Sequence, residues 1–174
     1  LEGPLDSADN YGIRIRGFLR PDVTGNYNFF ISSDDGSQLW LSTDASPANE
    51  AQICYEPSWN GSRDWLGTGN GRDAAAPQNR STTLFPGGIT LNAGSHYSFK
   101  ALMKEGGGGD NVAVAWQLPG GAEPANGSSP IAGNNLCILA NPDTAATISI
   151  SEQPHTEDVY LNQIIKLKVV ASNN

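Results

Sequence analysis

Histidine and cysteine each occur twice in the 174 residues, and methionine once. Those shortages remove several chemistries at the outset. His96 and His155 belong to no HExxH, and there is no GxSxG elbow or phosphate-cradling loop, so no catalytic activity of the chain's own is expected. Cys54 and Cys137 lie far apart and neither sits in a CxxC, which excludes zinc-ribbon and thioredoxin-like readings. Positive charge is equally scarce: Lys and Arg number 10 against 18 Asp and Glu, for a net charge of −8. The cations are scattered and offer no positive stripe to a phosphate backbone, so nucleic acid is not an expected partner. No apolar run reaches the roughly 18 residues of a spanning helix, so no membrane insertion is expected. Leu1-Glu2-Gly3-Pro4 lacks signal-peptide character and reads as a processed or excised end.

What is abundant points to strands and turns. Gly 20 and Pro 11 punctuate short apolar runs in a chain only 16% charged, the pattern of an all-β domain. Gly12–Arg20 alternates apolar and basic residues, as a half-exposed strand does. Asn26–Ile31 places Tyr27, Phe29 and Ile31 on one face, and Gln38–Ser42 reads as its partner strand, burying Leu39 and Leu41. Ala51–Tyr55, Gly88–Gly94 and Ser95–Lys104 follow, the last with Tyr97, Phe99, Ala101 and Met103 aligned. Val112–Leu118 turns Val112, Val114, Trp116 and Leu118 inward, and Leu136–Ala140 closes the set.

Three loops stand out. Asp34-Asp35-Gly36 supports two readings, a tight hairpin corner or paired hard-oxygen ligands for calcium. Residues 57–80 form a long loop carrying Trp59, Arg63 and Trp65, and loops of that length are usually functional or mobile. For its indoles, a lid on the core and a binding surface both stay open. Glu105 is followed by four glycines and Asp110-Asn111, so the backbone there is expected to approach something closely. Past Asn141-Pro142-Asp143 the aromatics thin to Tyr160, and Ala145–Ser151 and Val159–Ala171 read as two strands of a separate unit. The expected division is 1–140 and 141–174.

Gly17-Phe18-Leu19, Gly25-Asn26-Tyr27-Asn28-Phe29, Ser33 to Leu41, Leu91 to Tyr97 and Val114-Ala115-Trp116 together resemble the PA-fourteen module. This is the protective-antigen-like β-sandwich or barrel shared with yeast flocculins and bacterial adhesins, and the likeness spans roughly residues 8–139. It implies a calcium-dependent, carbohydrate-binding lectin or adhesin module of a secreted or cell-surface protein, with glycans as partners. In sugar-binding members an Asp-Asp pair joined by a cis peptide holds Ca2+, which matches Asp34 and Asp35. A second loop supplies further oxygens, here Gly107, Gly109, Asp110 and Asn111, although the glycine run departs from the flocculin pattern. Trp59, Arg63 and Trp65 are the expected rim that selects among sugars. The tail is similar to the opening strands of an immunoglobulin-like repeat, which needs about seven. A neighbouring chain or downstream immunoglobulin-like domains are therefore expected to complete it.

The extracellular setting leads to two more expectations. Cys54 and Cys137 pair as a disulfide, and the three Asn-x-Ser sequons at Asn60, Asn79 and Asn126 are glycosylation acceptors only in a eukaryotic secretory context. Two other functions compete with the lectin: a structural spacer or assembly unit, and an accessory domain of a larger extracellular hydrolase. Adjacent carboxylates cannot flank a glycosidic bond from opposite sides, so Asp34 and Asp35 are not a hydrolase pair.

Overall fold

The computed structural model describes residues 1–138, 148–152 and 170–173. The chain divides into two units, Leu1–Leu139 and Ala140–Asn174. The first is all-β, with no α-helix among the described residues. Its strands are β1 (Gly12–Leu19), β2 (Gly25–Asp34), β3 (Ser37–Leu41), β4 (Ala51–Glu56), β5 (Ile89–Leu91), β6 (Tyr97–Lys104), β7 (Asn111–Gln117) and β8 (Leu136–Cys137).

These strands form two antiparallel sheets, one ordered β4-β3-β6-β1-β8 and the other β5-β2-β7. The sheets pack face to face, because each carries an apolar stripe at period two. Tyr27, Phe29, Ile31, Val112 and Val114 from the smaller sheet meet Leu39, Leu41, Phe99, Ala101 and Met103 from the larger. Trp116 completes the layer, its ring 5.0 Å from Tyr27 and 6.2 Å from Phe29. Leu118 does not point inward as expected: β7 ends at Gln117, and Leu118 is 49% exposed.

β2 is buried on both faces. Behind it, Phe30, Ala113 and Ala115 pack on Trp65, delivered by the 57–80 loop. That loop also hydrogen-bonds to β2, Ile31 N–H to the Asn79 carbonyl and Asn60 N–H to the Ser33 carbonyl. A buried cluster inside the loop keeps it in place. Arg72 forks onto the Glu56 carboxylate, reaches Asp64 at 3.3 Å, and Asn60 donates to Glu56 at 2.9 Å.

Two expectations fail here for topological reasons. β2 and β3 are not hairpin partners: they belong to different sheets, so Asp34-Asp35-Gly36 is a crossing between layers. The Cys54–Cys137 disulfide is also excluded. Cys54 lies on β4 and Cys137 on β8, opposite edges of the larger sheet, and both are free thiols. Four inter-strand steps separate them, about 19 Å, where a disulfide needs Cα atoms within about 7 Å.

The second unit contains β9 (Ile148–Glu152) and β10 (Val170–Asn173), paired antiparallel. The remainder of the strands expected over 145–151 and 159–171, with Leu167 and Val169, lies outside the described residues, as do Leu139 and Ala140.

Candidate metal centre

Two of the crossings between the sheets, β2 to β3 and β6 to β7, meet at one end of the sandwich. Asp34, the last residue of β2, pairs in register with Asn111, the first of β7. Beyond Asp34 the chain turns into β3, through an Asp34–Asp35 peptide bond that is cis. Beyond Lys104 it turns from β6 back to β7 through residues 105–110. The corners are tied directly: Lys104 N–H donates to the Gly36 carbonyl at 3.0 Å and Gly106 N–H to Asp35 Oδ2 at 2.9 Å. Ser33 Oγ bonds the Asp35 carbonyl at 2.6 Å and braces the first corner from below.

The glycine run now has a physical reason. A Cβ on Gly106 would stand 3.0 Å from Asp35 Oδ2, and one on Gly109 would stand 3.1 Å from Asp6 Oδ1. Gly108 adds φ +115, which side chains rarely adopt.

Carboxylates converge on this end. Oxygens of Asp34, Asp35 and Glu105 lie within 4.8 Å of one another. Glu105 is 1% exposed and neither of its oxygens has a hydrogen-bond partner. Burial, then the Asp35 and Asp34 charges, push its carboxyl above the usual range; the nearby Asp35 N–H offsets part of this. Asp34 is also raised, first by burial and then by Asp35, Asp110 and Asp6.

Asp110 takes a different position. Its Oδ2 accepts from Ser7 N–H at 2.7 Å, Ala8 N–H at 2.9 Å and Ser7 Oγ at 3.2 Å. The Ala8 N–H above all holds this carboxyl below its usual value. Its other oxygen, Oδ1, is buried without a partner, and so is Oδ1 of Asn111, whose Nδ2 donates to the Asn60 carbonyl at 3.1 Å. Asp6–Asn10 thus lies as a strap on the glycine loop. Asp6 N–H bonds the Asp110 carbonyl at 3.0 Å, Asn10 N–H the Gly106 carbonyl at 3.0 Å, and Gly108 N–H Asp9 Oδ1 at 3.1 Å.

Buried carboxylate and amide oxygens left unpaired beside two more carboxylates are costly unless something positive joins them. The donor set is oxygen alone, which suits a hard cation rather than zinc or copper. By that test the residues fit a metal ion.

The expected site residues distribute unevenly around this centre. Asp34 and Asp35 come together with Glu105, and Asn111 pairs in register with Asp34, while Asp110, held by Ser7 and Ala8, lies with Gly107 and Gly109 in the adjoining loop. Trp59 is 54% exposed next to Asn60, whose N–H and carbonyl bond Ser33 and Asn111. Arg63 is occupied by a bidentate pair with Glu2, at 2.8 and 2.7 Å. Trp65 requires correction: it is 0% exposed against Phe30, so it has no face to offer a sugar. Glu105 was missed, although the β6 alternation Tyr97, Phe99, Ala101, Met103 continues to it and signals an inward carboxylate.

Comparison with known proteins follows the same outline. Over 114 residues the chain is 36% identical to mouse N-acetyl-beta-glucosaminyl-glycoprotein 4-beta-N-acetylgalactosaminyltransferase 1, covering 64% of this chain and 10% of that one. It therefore spans about a tenth of that relative. Among solved structures, the Epithelial Adhesin 9 A domain of Candida glabrata, in complex with Galb1-4GlcNAc, aligns with TM-score 0.46 and 18% identity, covering 66% of this chain and 48% of that one. An anti-sigma factor domain-containing protein from Clostridium clariflavum aligns at TM-score 0.45 and 23% identity, covering 83% and 37%. The PA14 domain family model matches residues 1–129, and this chain belongs to that family.

Proposed function

We propose that this chain is a calcium-dependent carbohydrate-binding module, a lectin or adhesin unit of a secreted or cell-surface protein. The observation that carries the reading is the set of unpaired oxygens at the sheet crossings, opening to solvent through the half-buried Asp34 and Asp35. Asp34, Asp35 and Glu105 would hold the ion, with Asp110 Oδ1 and Asn111 Oδ1 as further donors. When bound, Ca2+ supplies positive charge and open coordination positions that suit vicinal sugar hydroxyls. The chain's own residues do the remaining work. The strap fixes Asp110, Ser33 fixes the Asp35 corner, and Trp59, exposed next to the Asn60 that bonds Ser33 and Asn111, offers an apolar ring face. Arg63, tied to Glu2, is a weaker candidate for the rim.

A second reading is an accessory module within a larger extracellular enzyme, and it is favoured by a matched stretch amounting to 10% of the mouse relative. Both readings predict glycan capture; a spacer does not. The test is a glycan array with calcium and with chelator. Calcium-dependent capture of a defined sugar supports the module, and an empty array in calcium leaves the spacer.

A further inference from the structure

The outer face of the larger sheet carries charge of the opposite sign. On β1, Arg14, Arg16 and Phe18 alternate with the inward Ile13 and Ile15, which lie against the core. Arg16 stands in register with Lys100 of β6, and Lys100 with Trp40 of β3, so two cations and an indole form a row across three strands. Lys100 Nζ sits 4.6 Å from the Trp40 ring centre and 3.4 Å from Glu50 Oε2. Glu50, its side chain 8% exposed, also accepts from Ser98 Oγ at 2.6 Å. Arg14, Arg16, Phe18, Glu50, Ser98 and Lys100 line a groove of about 450 Å3, within the roughly 300–1,000 Å3 range of ligand sites. Among the described residues, Arg14 and Arg16 face no carboxylate at ion-pair distance. They stand out in a chain of net charge −8.

We propose that this groove is a second, metal-independent binding site that takes a uronate-bearing polysaccharide. Planar guanidinium forks pair with carboxylates bidentately. Lys100 is already neutralised by Glu50, so two positive charges remain for an incoming anion. That balance suits a chain with about one carboxylate per sugar and opposes a densely sulfated one, which would meet Glu50. Glu50 and Ser98 can in turn bond sugar hydroxyls, which an acidic polypeptide side chain lacks. The groove is distinct from the metal centre. From Gly12, opposite Lys104, to Arg16 is about 13 Å along the strand.

The experiment is calorimetric titration of the full chain with oligogalacturonate, in chelator, at 50 and 300 mM salt. Wild type should bind, and weaken as salt rises. R14Q/R16Q should bind at least tenfold more weakly with an unchanged melting temperature, since both side chains are exposed. Asp35→Asn should bind as wild type does, which separates this site from the calcium reading. No binding by wild type at 50 mM salt, or equal binding by R14Q/R16Q, overturns the proposal. So does tighter binding of heparin or of poly-glutamate than of oligogalacturonate. Self-association of R14Q/R16Q with sugar binding intact also overturns it, and would instead mark the arginines as guards of the stretch of β1 that the short β8 leaves unpaired.

Discussion

Gly106 donates its backbone N–H to Asp35 Oδ2 at 2.9 Å, across 71 positions of sequence. That bond joins two of the places where the chain crosses from one sheet to the other, β2 to β3 and β6 to β7, and it brings Glu105 to the aspartate pair. The centre is therefore a property of sheet order: two crossings at one end bring together carboxylates that no local motif contains. The strap from Asp6 to Asn10 adds a third segment, so the centre links three distant parts of the chain.

Replacing Asp35 with Asn should remove the calcium response. A ligand at a hundredfold excess over its Kd stabilises the folded state by about 2.7 kcal/mol. Wild type should melt higher in calcium than in chelator, and Asp35→Asn should melt alike in both. The measurement is a pair of thermal unfolding curves for each protein. An equal calcium-dependent rise in the variant removes Asp35 from the ligand set.

Glu105→Gln should act in opposite directions with and without the ion. In chelator it removes a buried charge that has no hydrogen-bond partner and faces two carboxylates, so the melting temperature should rise by a few degrees. In calcium it removes a ligand, so the calcium-driven rise should shrink. Terbium luminescence, titrated against wild type and variant, should show the same loss of affinity without any sugar present. Unchanged terbium affinity would place Glu105 outside the centre.

The two tryptophans of the long loop should separate stability from binding. Trp65→Ala empties a fully buried site behind β2 and should cost about 3–5 kcal/mol in a urea unfolding experiment. Trp59→Ala should leave stability within about 0.5 kcal/mol, as exposed substitutions do. Sugar affinity on the array should nonetheless fall. A stable Trp65→Ala variant would mean that the loop does not cover Phe30.

Arg72→Met should cost about 3–5 kcal/mol, because it leaves Glu56 charged, buried and without its main partner. Adding Glu56→Gln should recover most of that loss, since Asn60 can still donate to the new amide. Urea unfolding of single and double variants measures both. Equal destabilisation of single and double variants would show that the guanidinium packing, rather than the stranded charge, sets the cost.

Alkylation followed by mass spectrometry should find two thiols in the denatured protein without any reductant. In the native protein Cys137, half-buried, should react first. Cys54 should resist, since it is 1% exposed and burial pushes its thiol pKa upward. A dependence of labelling on reductant would restore the disulfide.

Period-two alternation was enough to mark out the strands and most of their inward faces. Alternation is a local property, and Tyr27, Phe29, Ile31, Tyr97, Phe99, Ala101 and Met103 occupy the core as their spacing dictates. The sequence also marked Asp34 and Asp35, because adjacent carboxylates before a glycine are conspicuous in one dimension, and the family likeness rested on the same residues. Tertiary structure decided which strands pair, and with that it decided the rest. A hairpin and a sheet crossing share turn residues, so the Asp34-Asp35-Gly36 corner reads alike in either case until β2 and β3 are seen in different sheets. Trp65 and Trp59 are chemically alike, and only the packing of the loop on Phe30 buries one and exposes the other. Cys54 and Cys137 looked pairable until strand order set them on opposite edges. Glu105 belongs to the centre for the same reason. Its role comes from Asp35, 70 residues away, and long-range register cannot be read from period-two alternation alone.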